Sequence, residues 1–153
     1  MQSGSIVVPS PLGPLTLFAD EGQIVVLEWG KGPEDPTPPQ VLKDAALQLE
    51  QYFAGERREF DLPLAPHGTE FQQKVWNAMC RIPYGETRSY AEIATEIGCA
   101  AARPIGGACG KNPIPVIIPC HRILGSGKNF GGYSGDGGLD TKRWLLRREG
   151  AIA

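Results

Sequence analysis

Residues 69–92 carry two capping boxes within one short stretch. In Thr69-Glu70-Phe71-Gln72 the Thr hydroxyl and the Gln amide can satisfy orphan backbone donors at a helix start, and Ser89-Tyr90-Ala91-Glu92 repeats the arrangement. Two starts fixed so closely leave room for one helix and a return between them. The first helix is expected to bury Phe71, Val75, Trp76 and Met79 and to end at Pro83-Tyr84-Gly85. The second runs through Ile93, Ala94 and Ile97 to Gly98, the expected left-handed cap.

From Ala100 the run AAARPIGGACGKN is Ala-rich enough to be helical, with Pro104 tolerable only in the first turn. Helix, tight turn and short helix fit a helix-turn-helix with Arg103 at or near the start of the second helix; two packed core helices would give the same pattern. The Pro-interrupted NPIPVIIP follows, then the Gly-rich loop GSGKNFGGYSGDGG. A final helix is expected around 142–149, with Trp144 and Leu145 inward and Gly150 as its stop.

The first half reads differently. Residues 5–8, 15–19 and 23–29 suggest a small antiparallel sheet, the last two strands joined at Asp20-Glu21-Gly22. After the loop GPEDPTPP, residues Val41, Leu42, Ala45, Leu49, Tyr52 and Phe53 recur at helical spacing, with Gly55 placed to stop the helix. The fold class is α+β: a sheet-plus-helix domain over residues 1–65, then a mostly helical domain over 66–153 that carries the helix-turn-helix. With 20 Gly and 14 Pro in 153 residues, turns rather than disorder account for the composition.

No apolar run reaches the length of a membrane span, and MQSGSIVVPSPLG lacks a basic and an apolar leader region, so a cytoplasmic location is the default. The net charge of −2 conceals a split: residues 1–80 sum to −6 and residues 81–153 to +4, which suggests that the second half meets something anionic. Cys80, Cys99, Cys109 and Cys120 form no CxxC pair and the histidines are His67 and His121, so metal-site spacing is absent and reduced thiols are expected.

Chemistry concentrates where a run of aliphatic residues ends in Pro119-Cys120-His121-Arg122. A free cysteine is usually an inert small hydrophobe, but an imidazole or other cation nearby raises its thiolate fraction. In an extended segment Cys120 and His121 would point to opposite faces, so a turn or a water would be needed to join them. Glu149 is acidic in the last turn of a helix, where the macrodipole disfavours it. Either Arg147 and Arg148 neutralise it, or it orients a histidine in a Cys-His-Glu relay.

The stretch Asn112-Pro113-Ile114-Pro115-Val116-Ile117-Ile118-Pro119-Cys120-His121-Arg122, with Tyr90 and Arg103-Pro104-Ile105-Gly106-Gly107-Ala108 before it, resembles the O6-alkylguanine-DNA alkyltransferase family. The likeness extends through Gly68 to Gln72, Ile82 to Thr87, Gly132-Tyr133-Ser134-Gly135 and Trp144-Leu145-Leu146 with Glu149-Gly150, covering essentially all of residues 66–150. It implies an RNase H-like N-terminal domain and a winged-helix-like C-terminal one. Further, it implies DNA repair by irreversible transfer of an alkyl group from guanine O6 to Cys120, once per molecule, with no cofactor or metal and O4-alkylthymine as a second candidate substrate.

By the same resemblance, His121 is the base acting through a water, Glu149 orients it, Asn112 ties the site together, and Tyr90 donates to guanine N3. Backbone near Val116 and Cys120, with Ser134, would read the flipped base; Tyr133 and Pro115 would line the alkyl pocket. Arg103 would fill the space left in the duplex, Gly106, Gly107 and Ala108 would allow close approach to the minor groove, and Lys111 and Arg122 would add to the DNA and substrate face. The partner implied is double-stranded DNA with a flipped alkylguanine, met by a monomer.

Three departures from the family pattern stand out: Pro104 after the arginine, a single lysine in Cys109-Gly110-Lys111, and an acidic residue in Gly135-Asp136-Gly137-Gly138. Competing readings are a lesion-binding protein without transfer, a cysteine hydrolase using Cys120 and His121, and a thiol redox switch. The first conflicts with the presence of Cys120, the second lacks a clear oxyanion donor pair, and the third lacks motif-like cysteine spacing.

Overall fold

The computed structural model describes residues 2–125 and 138–153. The chain divides into two compact units, Met1–His67 and Gly68–Ala153.

In the first unit β1 (Gly4–Val8), β2 (Leu15–Asp20) and β3 (Gln23–Trp29) form an antiparallel sheet in the order β1-β2-β3. Glu21 and Gly22, both at positive φ, make the two-residue turn between β2 and β3, the geometry whose twist matches its flanking strands. The outer edge of β1 is closed by carboxylates from the Pro-rich loop: Ser5 N–H donates to Asp35 at 2.6 Å and Val7 N–H to Glu34 at 2.8 Å. Helix α1 (Gln40–Phe53) lies on the sheet and buries Leu42, Ala45, Leu49, Tyr52 and Phe53 over Leu15, Leu17, Ile24 and Leu27. Val41, expected in that stripe, is only half-buried.

The second unit opens with α2 (Glu70–Cys80) and α3 (Tyr90–Glu96), each begun by its complete reciprocal capping box at Thr69 and Ser89. Gly98 caps α3 at φ +75, with Cys99 N–H donating to Ala94 and Gly98 N–H to Thr95, so the orphan carbonyls are taken up. Helix α4 (Arg103–Gly110) begins at Arg103 itself, and Pro104 falls in its first turn, where the missing N–H costs nothing. The Trp76 indole of α2 donates to the Ala108 carbonyl of α4 at 2.9 Å, locking the two helices together. Helix α5 (Leu139–Arg148) closes the unit, with Gly150 at φ +77 as its cap.

Two details differ from expectation. A parallel pair of two-residue strands, β4 (Arg88–Ser89) and β5 (Ile123–Leu124), joins the start of α3 to the segment after Arg122. Trp144 is half-buried rather than inward, with the Arg148 guanidinium 5.1 Å from its ring centroid; Leu145 and Leu146 fill the core instead. Among the described residues no helix is long and apolar enough to cross a membrane.

Candidate active site

The segment leading to Cys120 is folded on itself rather than extended. Asn112 donates its amide to the Ile118 carbonyl at 2.9 Å and accepts from Ile114 N–H at 2.9 Å, so one side chain staples both ends of the loop. Val116 sits inside that loop at φ +73 and fully buried, a left-handed conformation unusual for a β-branched residue. Pro119 (φ −82, ψ 66) forms an inverse γ-turn, with Cys120 N–H donating to Ile118 at 2.8 Å.

Cys120, His121 and Arg122 then make a single 3-10 turn. Three residues per such turn fan successive side chains about 120° apart, which sends thiol, imidazole and guanidinium three ways from one backbone point. Cys120 is 8% exposed, His121 fully buried.

Glu149 ends α5 with its carboxylate wholly buried and bonded to both His121 and Arg122. His121 Nε2 is 2.7 Å from Oε2, Arg122 Nε donates to Oε1 at 2.8 Å, and Arg122 Nη2 donates to Oε2 at 3.0 Å. Burial alone would raise this carboxyl, but the bonds from His121 and Arg122 more than offset it and hold it at about 2. Burial pushes the His121 imidazole below its ordinary range; Glu149 opposes that shift, while the charges of Arg122 and Lys142 add to it. With Nε2–H given to Glu149, His121 Nδ1 is a buried acceptor that has no partner among the described residues.

Lys142 of α5 is also fully buried, its ammonium donating to the Ile123 carbonyl at 2.7 Å. Desolvation brings it down to about 8, against the opposing pull of the Cys120 and Cys109 thiols, so the ammonium and both sulfurs share one field. Cys109 is pushed up to about 12, by burial first and the neighbouring Cys120 second. Among the described residues no group of three or more His, Cys, Asp and Glu could hold a metal ion.

A buried imidazole held by a carboxylate, on the same turn as a thiol, supplies the residue types of which activated nucleophiles are built. Comparison with known proteins says which chemistry surrounds it. The sequence profile of the 6-O-methylguanine DNA methyltransferase DNA binding domain matches residues 70–151, and that of its ribonuclease-like domain matches residues 6–66. The chain belongs to the 6-O-methylguanine DNA methyltransferase family. It is 45% identical over 153 residues to the methylated-DNA–protein-cysteine methyltransferase of Methanosarcina acetivorans, spanning 95% of this chain and 97% of that one. The crystal structure of the Mycobacterium tuberculosis O6-methylguanine methyltransferase superposes with a TM-score of 0.84 at 44% identity, covering 99% of this chain and 94% of that chain. A crystal structure of the M. tuberculosis protein in complex with DNA gives 0.83 at 46%, covering 96% and 92%.

Within this methyltransferase family member, the structure brings Cys120, His121, Glu149 and Asn112 into one connected network. Tyr90 opens α3, half-buried, and its ring lies 3.9 Å from where a Cβ on Gly106 would stand, so α3 and α4 meet at that point. Arg103, Gly106, Gly107 and Lys111 are exposed on α4 and just past its end, whereas Ala108 faces the core. Pro115 and Val116 are buried in the loop that precedes the thiol. Tyr133, Ser134 and the acidic Asp136 lie outside the described residues.

Arg122 is a correction. Expected on the DNA and substrate face, it is buried, forked onto Glu149, and its Nη1 donates to the Ile82 carbonyl at 2.7 Å. Arg147 and Arg148, the alternative partners for Glu149, are exposed. Lys142 was not singled out from sequence, although it stands three and four residues before Leu145 and Leu146, on the buried face of α5.

Proposed function

We propose that this chain repairs DNA by direct reversal, transferring the alkyl group of O6-alkylguanine to the Cys120 sulfur in one irreversible event per molecule. The observation that carries this is the buried His121–Glu149 pair, at 2.7 Å, beginning on the same turn as Cys120. In the step proposed, the Cys120 sulfur attacks the alkyl carbon in line, the S–C bond forms and the C–O6 bond breaks. The thiol proton passes through a water to His121 Nδ1, while Tyr90 donates toward guanine N3 as the leaving base gains charge. Asn112 holds the loop that fixes the sulfur's position.

Double-stranded DNA is the proposed partner, met in the minor groove by α4, with Arg103 entering the stack as the damaged nucleotide leaves it. Extrusion costs a few kcal/mol, less for a weakly paired lesion, so the step itself favours damage. The exposed glycines of α4 suit close approach to a groove read for shape. We take the protein to act as a cytoplasmic monomer without a cofactor.

The test is incubation with an oligonucleotide containing O6-methylguanine, followed by mass spectrometry of tryptic peptides. One added methylene on the peptide bearing Cys120, stoichiometric and lost in Cys120→Ala, is the expected result. Binding of the lesion with no mass gain would replace this reading with that of a lesion-binding protein.

A further inference from the structure

We propose that Arg122 is a positioning residue for alkyl transfer: by forking onto both oxygens of Glu149 it keeps His121 uncharged, with Nδ1 open to receive the thiol proton. The inference deepens the function proposed above and rests on Cys120 being the acceptor.

A buried carboxylate beside a lone imidazole would draw a proton onto the ring, because an unpaired charge in that setting is costly and an ion pair relieves it. An imidazolium donates from both nitrogens and cannot act as a base. Here the carboxylate is matched before the histidine is counted. Arg122 supplies Nε to Oε1 at 2.8 Å and Nη2 to Oε2 at 3.0 Å, the planar fork that suits a carboxylate. His121 then needs to give Oε2 only the single N–H of a neutral ring, which leaves the lone pair on Nδ1.

Arg122 is itself held from two other sides. Its Nη1 donates to Ile82 just past α2, and its guanidinium lies 5.8 Å from the ring centroid of Tyr84, whose hydroxyl donates to the Arg148 carbonyl of α5. Gly85 adds a close approach: a Cβ there would come within 3.2 Å of the Glu149 carbonyl oxygen. Among the described residues the ionisable groups around the relay include Cys120 and Arg122 on its own turn, Glu149 and Lys142 on α5, Cys109 on α4 and Cys80 on α2. Of these Glu149 favours an imidazolium, Arg122 and Lys142 oppose it, and burial raises the Cys109 thiol. During transfer the proton reaches Nδ1 and the same carboxylate stabilises the cation that forms.

The test measures single-turnover transfer from an O6-methylguanine duplex against pH, together with the His121 ring nitrogens by NMR; His67 is the one other histidine. The parent protein should keep its rate on acidification through the ordinary imidazole range, with a neutral, Nε2-protonated His121. In Arg122→Leu and Arg122→Gln a new titration with a midpoint above 7 is expected, so that the rate at pH 6 falls by about tenfold or more and recovers by pH 8.5. His121 should be an imidazolium at pH 7 in both. Arg122→Lys retains the charge without the fork, and should lower the rate with no new midpoint. An equal loss of rate at every pH with His121 still neutral would overturn the proposal and leave Arg122 a packing residue, and Arg122→Gln decides the matter if the leucine variant does not fold. Failure of the parent protein to transfer any methyl group would instead sink the acceptor reading, while the NMR titration would still decide what Arg122 does to His121.

Discussion

At the scale of single residues, Glu149 and His121 both hold fewer protons in the folded chain than in the unfolded one. His121 lies below its ordinary 6.5, so stability erodes as pH falls below that value; Glu149, at about 2 against 4.5, adds a second loss as pH drops from 4.5 through 2. The Glu149 part amounts to about 3 kcal/mol once the carboxyl is protonated. Denaturant titrations of the parent protein should show a midpoint that falls in two stages on acidification, and Glu149→Gln should lack the lower one. Lys142 acts in the opposite pH range. Held at about 8 against 10.5, it favours the folded state as pH rises past 8, whereas Cys109, at about 12 against 9.0, favours the unfolded state above 9. Stability should therefore gain roughly 0.5–1 kcal/mol between pH 8 and 9 and then level off. The gain should vanish in Lys142→Met.

At the scale of elements, α4 departs from what helix stability alone would choose. Gly107 stands on its exposed face, and a Cβ added there would meet nothing within 4 Å. Gly107→Ala should thus stabilise the protein by about 0.5–1 kcal/mol, as alanine does over glycine in a helix. If this face meets the minor groove, Gly107→Leu should keep most of that gain yet bind duplex DNA more weakly; unchanged affinity would move the groove contact elsewhere. The helix boundaries were legible because their signals are local: Thr69 with Gln72, Ser89 with Glu92, and glycines at 55, 98 and 150 each act within one turn. The pair β4–β5 was not, since two-residue strands carry no periodicity and their partners stand 35 positions apart. Arg122 was misplaced for a related reason. An arginine beside a reactive thiol reads as an anion binder, and only the fold reveals that the anion is Glu149 from the far end of the unit. The His121–Glu149 bond was legible through the family resemblance, the macrodipole argument having left Glu149 with two candidate roles.

At the scale of the whole molecule, the charge split suits a chain in which one half meets a polyanion: −6 over residues 1–80 and +4 over residues 81–153. Each phosphate neutralised contributes about 0.9 to the slope of log affinity against log salt. Lys111→Ala should accordingly weaken duplex binding alike for damaged and undamaged DNA and flatten that slope by about 0.9; an unchanged slope would remove Lys111 from the phosphate contacts. The reach of the relay also bears on the protein's synthesis. His121 and Glu149 are 28 positions apart, and the carboxylate is made after the thiol. At about 5–20 residues per second, Cys120 exists for roughly 1–6 s on the growing chain before Glu149 has been added. The proposed acceptor sulfur is therefore made before the carboxylate of the relay proposed for it, and the His121–Glu149 bond forms only once α5 is in place.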